Sequence, residues 1–252
     1  MILDRRGNSI TTRADYNPTN NVITSTDSSR ILTAVQGTAT TNTVGTTQAT
    51  YNAAAPSVVL STTLTSTSGR VNGGTVTFTV SNAVSAVAGT ATTSGQVNNG
   101  YASVTYALPP GLAAGGYSVK AVDNGAPTFL ASTSTLDSAL TIAKASPTVV
   151  ATNLIGTASA VDQTINFTAT ATVKSNGANV NKGSFTIYID TSDGTTLKLT
   201  SSAQNVVNGS VTISVTLPAG FAKGTYVIKA KFTDPSGNYQ NFTDGSHTLI
   251  LS

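Results

Sequence analysis

The feature of this sequence that most constrains its fold is an internal repeat. Leu108–Ala121 reads LPPGLAAGGYSVKA, and Leu217–Ala230, 109 positions later, reads LPAGFAKGTYVIKA. VNGGTVTFTV (Val71–Val80) and VNKGSFTIYI (Val180–Ile189) are separated by the same distance. The offset slips only locally, around residues 123–130. One offset shared by motifs so far apart predicts two tandem copies of a whole domain rather than a solenoid of short repeats.

Each copy has the pattern of β-strands. Val211, Ile213 and Val215 alternate with hydroxyl-bearing residues, which places one side of a strand on a core and the other in water. The chain contains 46 threonines, and β-branched threonine favours pleated surfaces over helices. Short alternating runs separated by glycine, asparagine and proline predict a β-sandwich in each copy.

The repeated LPxG motif predicts a corner at the same place in both copies. A leucine ends an inward-facing strand, and the proline after it lacks the amide hydrogen that the ladder needs. A tyrosine then opens the next strand, and in immunoglobulin-like sandwiches such a tyrosine often bonds its hydroxyl back to the loop. We therefore assign a structural corner role to Leu108, Pro109, Tyr117, Leu217, Pro218 and Tyr226.

A family resemblance rests on these same motifs. GTVTF, then NG before an alternating strand, then LPxGxxxGxY followed by KA resembles the bacterial immunoglobulin-like (Big) repeat domains over about residues 36–252. The resemblance implies sandwiches of about seven strands, of the kind that occur in bacterial surface adhesins and phage virion proteins. It implies a spacer, binder or decoration and does not by itself imply an activity.

The predicted fold is all-β, with two tandem immunoglobulin-like β-sandwiches preceded by an extended N-terminal arm. The arm covers residues 1–35, the sandwiches cover residues 36–143 and 147–252, and AKASP (Ala143–Pro147) links them. The arm is too apolar for a fully solvated tail, so we expect it to become ordered against a partner. Disorder, or a strand added to the first sandwich, are the alternatives. Its candidate contact residues are Arg5, Arg6, Arg13, Tyr16 and Arg30.

Composition argues against several classes of function. The chain has no cysteine, which excludes disulfides, thiolate metal sites and cysteine nucleophiles. A net charge of only +3 provides no basic stripe, so we expect no nucleic-acid partner. No apolar run approaches the ~18 residues of a membrane span.

Catalytic and metal-binding candidates are few. The single histidine, His247, has Asp244 nearby in sequence, but no serine lies in a nucleophile-elbow context, and we expect an exposed loop residue. DTSDG (Asp190–Gly194) and DPSGN (Asp234–Asn238) offer oxygen atoms that Ca²⁺ accepts. The same residue types build tight turns, which is the interpretation we favour. We therefore predict no enzymatic activity, no cofactor and no metal.

The termini favour one setting for such a module. The start carries no secretory apolar segment, and no anchor follows the last predicted strand, as expected of a phage protein assembled in the cytosol. We predict a virion structural protein, a head decoration or cement protein on the capsid exterior that attaches through its arm. Its partners would be the major capsid protein or other virion proteins, and it would be a homo-oligomer, with a trimer preferred. The alternatives are a bacterial cell-surface adhesin module, or a phage fibre or tail component that binds a host-surface glycan.

Overall fold

The structure is a computed structural model that describes residues 15–17, 22–24, 32–33, 37–82, 86–135 and 137–252. These residues form strands, turns and irregular connections, with no helix among them, which confirms the all-β prediction. Accordingly, no helix in the described ranges could cross a membrane.

The described parts of the arm form a small sheet of their own. Strands β1 (Asp15–Asn17), β2 (Val22–Thr24) and β3 (Leu32–Thr33) pair antiparallel in the order β1-β2-β3. The other arm residues lie outside the described ranges.

The described residues of sandwich 1 form nine strands in two sheets. The strands are β4 (Thr40–Val44), β5 (Thr47–Thr50), β6 (Ser57–Ser66), β7 (Thr75–Ser81), β8 (Thr92–Gln96), β9 (Tyr101–Ala107), β10 (Gly115–Asp123), β11 (Ser132–Thr133) and β12 (Asp137–Ala143). One sheet has the order β4-β6-β9, and the other has the order β5-β12-β10-β7-β8, with β11 added beside β10.

Sandwich 2 repeats this arrangement. Its strands are β13 (Pro147–Ala151), β14 (Leu154–Gly156), β15 (Gln163–Val173), β16 (Ser184–Asp190), β17 (Leu197–Thr200), β18 (Gln204–Asn205), β19 (Ser210–Leu217), β20 (Gly224–Thr233) and β21 (Phe242–Leu251). The sheets have the orders β13-β15-β19 and β14-β21-β20-β16-β17, with β18 beside β16.

In both sandwiches the first stretch of chain changes sheets partway. β4 lies in the small sheet, whereas β5 joins the large sheet parallel to β12; β13 and β14 do the same, with β14 parallel to β21. At the crossing in sandwich 1, a side chain on Gly45 would lie 2.7 Å from Ser61 Oγ. At the crossing in sandwich 2, Asn153 Oδ1 accepts the Thr248 amide at 2.9 Å. Each crossing thus ties its two sheets together at one edge.

The alternating residues of the repeat form the cores. Within β7 and β16 every second residue is fully buried, and Phe185 packs against Phe232 with 5.4 Å between ring centroids. The facing small sheets contribute Leu60 and Phe167. Burial of this size drives the collapse of each sandwich without disulfides.

Candidate functional site

Four of the five predicted partner-contact residues of the arm fall outside the part of the chain that the structure describes. Arg5, Arg6, Arg13 and Arg30 lie outside the described residues. Tyr16 lies in β1, where its backbone pairs with that of Ile23 in β2. The contact role of all five residues remains a prediction.

The six corner residues occupy equivalent places in the two sandwiches. Leu108 and Leu217 are each 2% exposed. Tyr117 donates its hydroxyl to the carbonyl of Ala113, and Tyr226 donates its own to the carbonyl of Ala222, both at 2.8 Å. Both tyrosine rings are buried. Pro109 and Pro218 begin the turns, in which the amides of Leu112 and Phe221 donate back to their carbonyls.

In the first acidic turn, Asp190–Gly194, both carboxylates are bonded to groups of this chain. The carboxylate of Asp190 is buried and lies 2.6 Å from the ammonium of Lys229, which also donates to the carbonyl of Gly194. Asp193 accepts hydrogen bonds from Thr191 and Thr195, and these bonds lower its pKa to about 2. This segment is therefore a turn whose carboxylates accept hydrogen bonds from within the turn and form one ion pair with Lys229.

The second acidic turn, Asp234–Asn238, is organised around one buried carboxylate. Asp234 Oδ1 accepts the amide and the hydroxyl of Ser236, and Oδ2 accepts the amides of Asn238 and Tyr239 at 2.8 and 2.9 Å. Burial raises the pKa of Asp234, but these hydrogen bonds together outweigh it and leave the pKa lowered. The carboxylate therefore shapes the segment Asp234–Gln240, which we call the docking loop.

His247 departs from the sequence expectation. It lies within β21 rather than in an exposed loop, and its side chain is 17% exposed. Its Nε2 is 2.8 Å from Asp244 Oδ2, so the pair suggested by the sequence does form. However, Ser246 Oγ donates to Asp244, and the other ring nitrogen faces Asn153. The two ring nitrogens therefore face Asp244 and Asn153, and the Ser246 hydroxyl is bonded to the carboxylate instead of to the imidazole.

The most developed polar and aromatic constellation is the joint between the sandwiches, formed by the docking loop and the corner of sandwich 1. Asn238 Oδ1 accepts the amide of Ala114 at 2.9 Å. The ring of Tyr239 meets that of Tyr51 edge-on, with 5.1 Å between centroids and 79° between planes. Both tyrosines are buried, at 2% and 4% exposure. The docking loop thus makes both a directional hydrogen bond and a buried aromatic contact with the other sandwich.

The linker is fastened to the same loop. The amide of Ala145 donates to the carbonyl of Asn238, and the amide of Gln240 donates to the carbonyl of Ala145, each at 2.9 Å. Ser146 Oγ adds a bond to Gln240 Oε1. Residues 144–146 therefore have a fixed path instead of serving as a free tether.

Burial gives Tyr239 its electrostatic character. Loss of solvation is the largest effect and the neighbouring Tyr51 is the next, and together they raise the pKa of Tyr239 to about 12. Tyr51, Asn238 and Tyr239 were not predicted from the sequence as joint residues. The sequence does contain one signal of the joint, the slip in the repeat at residues 123–130, which is the stretch of sandwich 1 equivalent to the docking loop.

Among the described residues, no group of three or more histidine, aspartate or glutamate side chains is placed to hold a metal ion. Two shallow hollows on the described surface are worth noting. One, beside the joint, is lined by Thr50, Lys144, Ser146, Lys174 and Ser175. The other lies at the far end of sandwich 2.

Comparison with known proteins gives likenesses of fold. No family model matches the chain, and no curated protein matches it. Among solved structures, a tetra-tandem repeat in the extending region of a large adhesion protein is 20% identical, with a TM-score of 0.43, over 86% of this chain and 50% of that one. The chain thus spans half the length of that structure.

Two further solved structures are also tandem modules. The fibronectin(III)-like modules of Clostridium thermocellum CbhA are 16% identical, with a TM-score of 0.29, over 84% of this chain and 94% of that one. A chimeric titin Z1Z2 tandem is 14% identical, with a TM-score of 0.27, over 83% and 96%. At these identities the likeness concerns the fold alone, and the sheet orders described above establish a tandem pair of immunoglobulin-like sandwiches.

Proposed function

We propose that this chain is a non-catalytic structural module in which two immunoglobulin-like sandwiches form one stiff projection. The observation that carries the proposal is the joint. Asn238 and Tyr239 bind sandwich 1, while Ala145 in the linker is hydrogen-bonded to the same loop. A flexible tether would need none of these contacts, so their presence favours a module that holds a fixed distance and direction.

The surface on which the module projects is, in this proposal, the exterior of a phage head, with the arm as the attachment. The arm combines Arg5, Arg6, Arg13 and Arg30 with apolar residues such as Ile2 and Leu3. Arginine forms bidentate hydrogen bonds with carboxylates, which suits an acidic patch on a capsid protein. Several arms that engage together, as in a trimer, would offset the entropic cost of ordering each arm.

A structural role also agrees with the chemistry around the single histidine. His247 contacts both Asp244 and Asn153, and Asn153 also accepts the Thr248 amide, which joins β21 to the crossing between β13 and β14. The hydroxyl of Ser246 donates to the Asp244 carboxylate. The histidine thus stabilises the attachment of the β13–β14 crossing to β21.

The test is a truncated protein that starts at Gly37, compared with the full chain for binding to phage shells that lack the native protein. We expect the truncated protein to remain folded but to lose shell binding in a sedimentation assay. A full-length variant with the four arm arginines changed to glutamine should bind weakly as well. The matched control changes Lys144, Lys174, Lys198 and Lys223 to glutamine, which removes the same charge from the sandwiches.

Other outcomes would redirect the proposal. Shell binding by the truncated protein equal to that of the full chain would show that the sandwich faces carry the attachment. Binding to bacterial cells or to immobilised host glycans, with none to shells, would replace the capsid role with the adhesin or fibre role. In either case the stiffness of the joint remains a separate measurement.

A further inference from the structure

The lower end of sandwich 2 repeats the surface on which sandwich 1 receives the docking loop. In sandwich 1 the amide of Gly111 donates to Asn52, and the amide of Tyr51 donates to Ala143. In sandwich 2 the amide of Gly220 donates to Ser159, and that of Ala158 donates to Ser252. The tyrosine corner is present in both sandwiches. The backbone of the acceptor surface is therefore built twice, and one copy of it is occupied by the docking loop.

The copy in sandwich 2 carries different side chains at the positions that make the internal joint, with Ala158 in place of Tyr51 and Lys223 in place of Ala114. The hydrogen bonds place Ala158 where sandwich 1 has Tyr51, and a shallow hollow too tight for a water molecule lies beside Ala158. The hollow is lined mainly by apolar side chains, among them Ala158, Val161, Leu217, Pro218, Phe221 and Leu251. Val161 at its rim is 70% exposed. The acceptor end of sandwich 2 therefore presents an exposed apolar side chain and lacks the ring that Tyr51 contributes to the internal joint.

The upper end of sandwich 1 carries the matching half. The amide of Thr38 donates to Thr128, and the amide of Leu130 donates to Thr38, at 2.9 Å each. These bonds reproduce those of Ala145 with the docking loop, and each pair also forms a parallel bridge. By this equivalence Phe129 stands in the place of Tyr239 and Leu130 in the place of Gln240. Leu130 is 41% exposed.

We propose that copies of this chain join head to tail, with Phe129 and Leu130 of one copy against the hollow at the lower end of sandwich 2 of the next. The internal joint shows what covers this surface, since a loop of the same backbone pattern binds the equivalent surface there. The two ends match in character, because Val161 is exposed at the acceptor end and Leu130 is exposed at the donor end, with the partly buried Phe129 beside it. A contact between two different surfaces leaves both ends of the pair open, so it produces linear arrays.

An end-to-end contact of this kind buries little surface, so the association is weak and is detectable only at high protein concentration. We expect the weight-average mass of the full chain in sedimentation equilibrium to rise with concentration. Small-angle scattering should show particles that lengthen at constant cross-section. Val161→Lys and Leu130→Lys each place a charge in the apolar contact, and each alone should weaken self-association at least about tenfold.

Mixing the two variants gives the decisive result. Each retains one intact end, so an equimolar mixture should form one-to-one dimers and stop there. Val150→Lys is the matched control, because Val150 is 46% exposed on the face of the β13-β15-β19 sheet, away from both ends. Its association should equal that of the unchanged chain. Melting temperatures confirm that all variants are folded.

Three results would overturn the proposal. The first is a full chain that stays monomeric at every concentration, and the second is a Val161→Lys variant that associates as well as the unchanged chain. The third is a mixture of the two variants that stays monomeric. The arm joins sandwich 1 at Gly37, beside Leu130, so the shell-binding assay is also run on Leu130→Lys. Shell binding that survives in this variant shows that the arm attachment and the head-to-tail contact fail or hold separately.

Discussion

At the scale of single residues, the docking loop depends on one carboxylate. Asp234 accepts four hydrogen bonds from the loop that it organises, and two of them come from the amides of Asn238 and Tyr239. The sequence presented this aspartate as one of several in oxygen-rich turns. Turn chemistry predicted its local bonds correctly, but a loop that reaches across to another domain has no periodic signature, so its larger role could not be predicted.

We expect Asp234→Asn to lower the free energy of unfolding by about 2 kcal/mol or more, because its amide group would face buried amide donors that lose their acceptor. The lowered pKa also sets a pH dependence. The contribution of Asp234 is fully present above its unfolded pKa of about 3.9 and is lost as the pH falls through the lower folded value. Urea denaturation at pH 7 and at pH 3 measures both effects. Asp193→Asn, in an exposed turn, is the control and should cost less; equal losses would contradict this role for Asp234.

A second residue-scale prediction concerns the corner tyrosines. Tyr117→Phe and Tyr226→Phe each remove one hydroxyl bonded to a loop carbonyl while they keep the buried ring. We expect each to cost about 0.5–1.5 kcal/mol, the usual net value of one hydrogen bond. Chemical denaturation of the two variants checks this, with Tyr101→Phe as the control because Tyr101 is 51% exposed. Unchanged denaturation midpoints would show that the corner bonds contribute nothing.

At the scale of elements, the sequence predicted most where periodicity and turn chemistry agree. The alternation in β7, β16 and β19 identified the buried faces, and the repeat predicted that both copies share them. It did not predict the crossing of the first strand between sheets. That crossing depends on contacts with β12 and β21, about a hundred residues away, which local patterns do not encode. The prediction that His247 lies in an exposed loop was wrong for the same reason. Its partner Asn153 lies at a crossing, which local patterns do not encode.

The NG pairs show an element that sequence predicts well. Asn208 and Gly209 join β18 and β19 with φ of 50° and 75°, and the flanking Val207 and Ser210 exchange both backbone hydrogen bonds. This is a two-residue hairpin turn with the left-handed backbone that Asn-Gly favours. Gly209→Ala should cost about 2 kcal/mol, because a left-handed alanine is strained and its Cβ would lie 2.9 Å from the Asn179 side chain. Asn208→Gly should stay within about 1 kcal/mol. Thermal unfolding measures the stability of both variants. Equal losses of unfolding free energy in the two would refute this account.

At the scale of the whole molecule, the joint decides whether two sandwiches behave as one body. The absence of cysteine lets a spin label be attached at two chosen sites, for example at Thr105→Cys in β9 and Thr212→Cys in β19. We expect a narrow distribution of distances between these labels in the otherwise unchanged chain. Tyr51→Ala combined with Asn238→Ala removes the aromatic contact and the hydrogen bond to Ala114, and it should broaden the distribution. Tyr101→Ala, on an outer sheet face, should leave it narrow. A broad distribution in the unchanged chain would show that the joint is a hinge.

The distance measurement can also be made as a function of pH, because the raised pKa of Tyr239 makes the stability of the joint fall at alkaline pH. Tyr239 is neutral when buried, and its pKa is raised from 10.0 to about 12. The folded joint therefore holds this proton more tightly than the opened one, so its stability is full below pH 10 and is lost as the pH rises through about 12. The label distances should broaden over this alkaline range while the far-ultraviolet circular dichroism of the sandwiches persists. Tyr239→Phe has no proton to lose and keeps the ring against Tyr51, so its distribution should stay narrow over the same range. If the Phe variant broadens at the same pH as the unchanged chain, other alkaline groups open the joint and Tyr239 does not govern it.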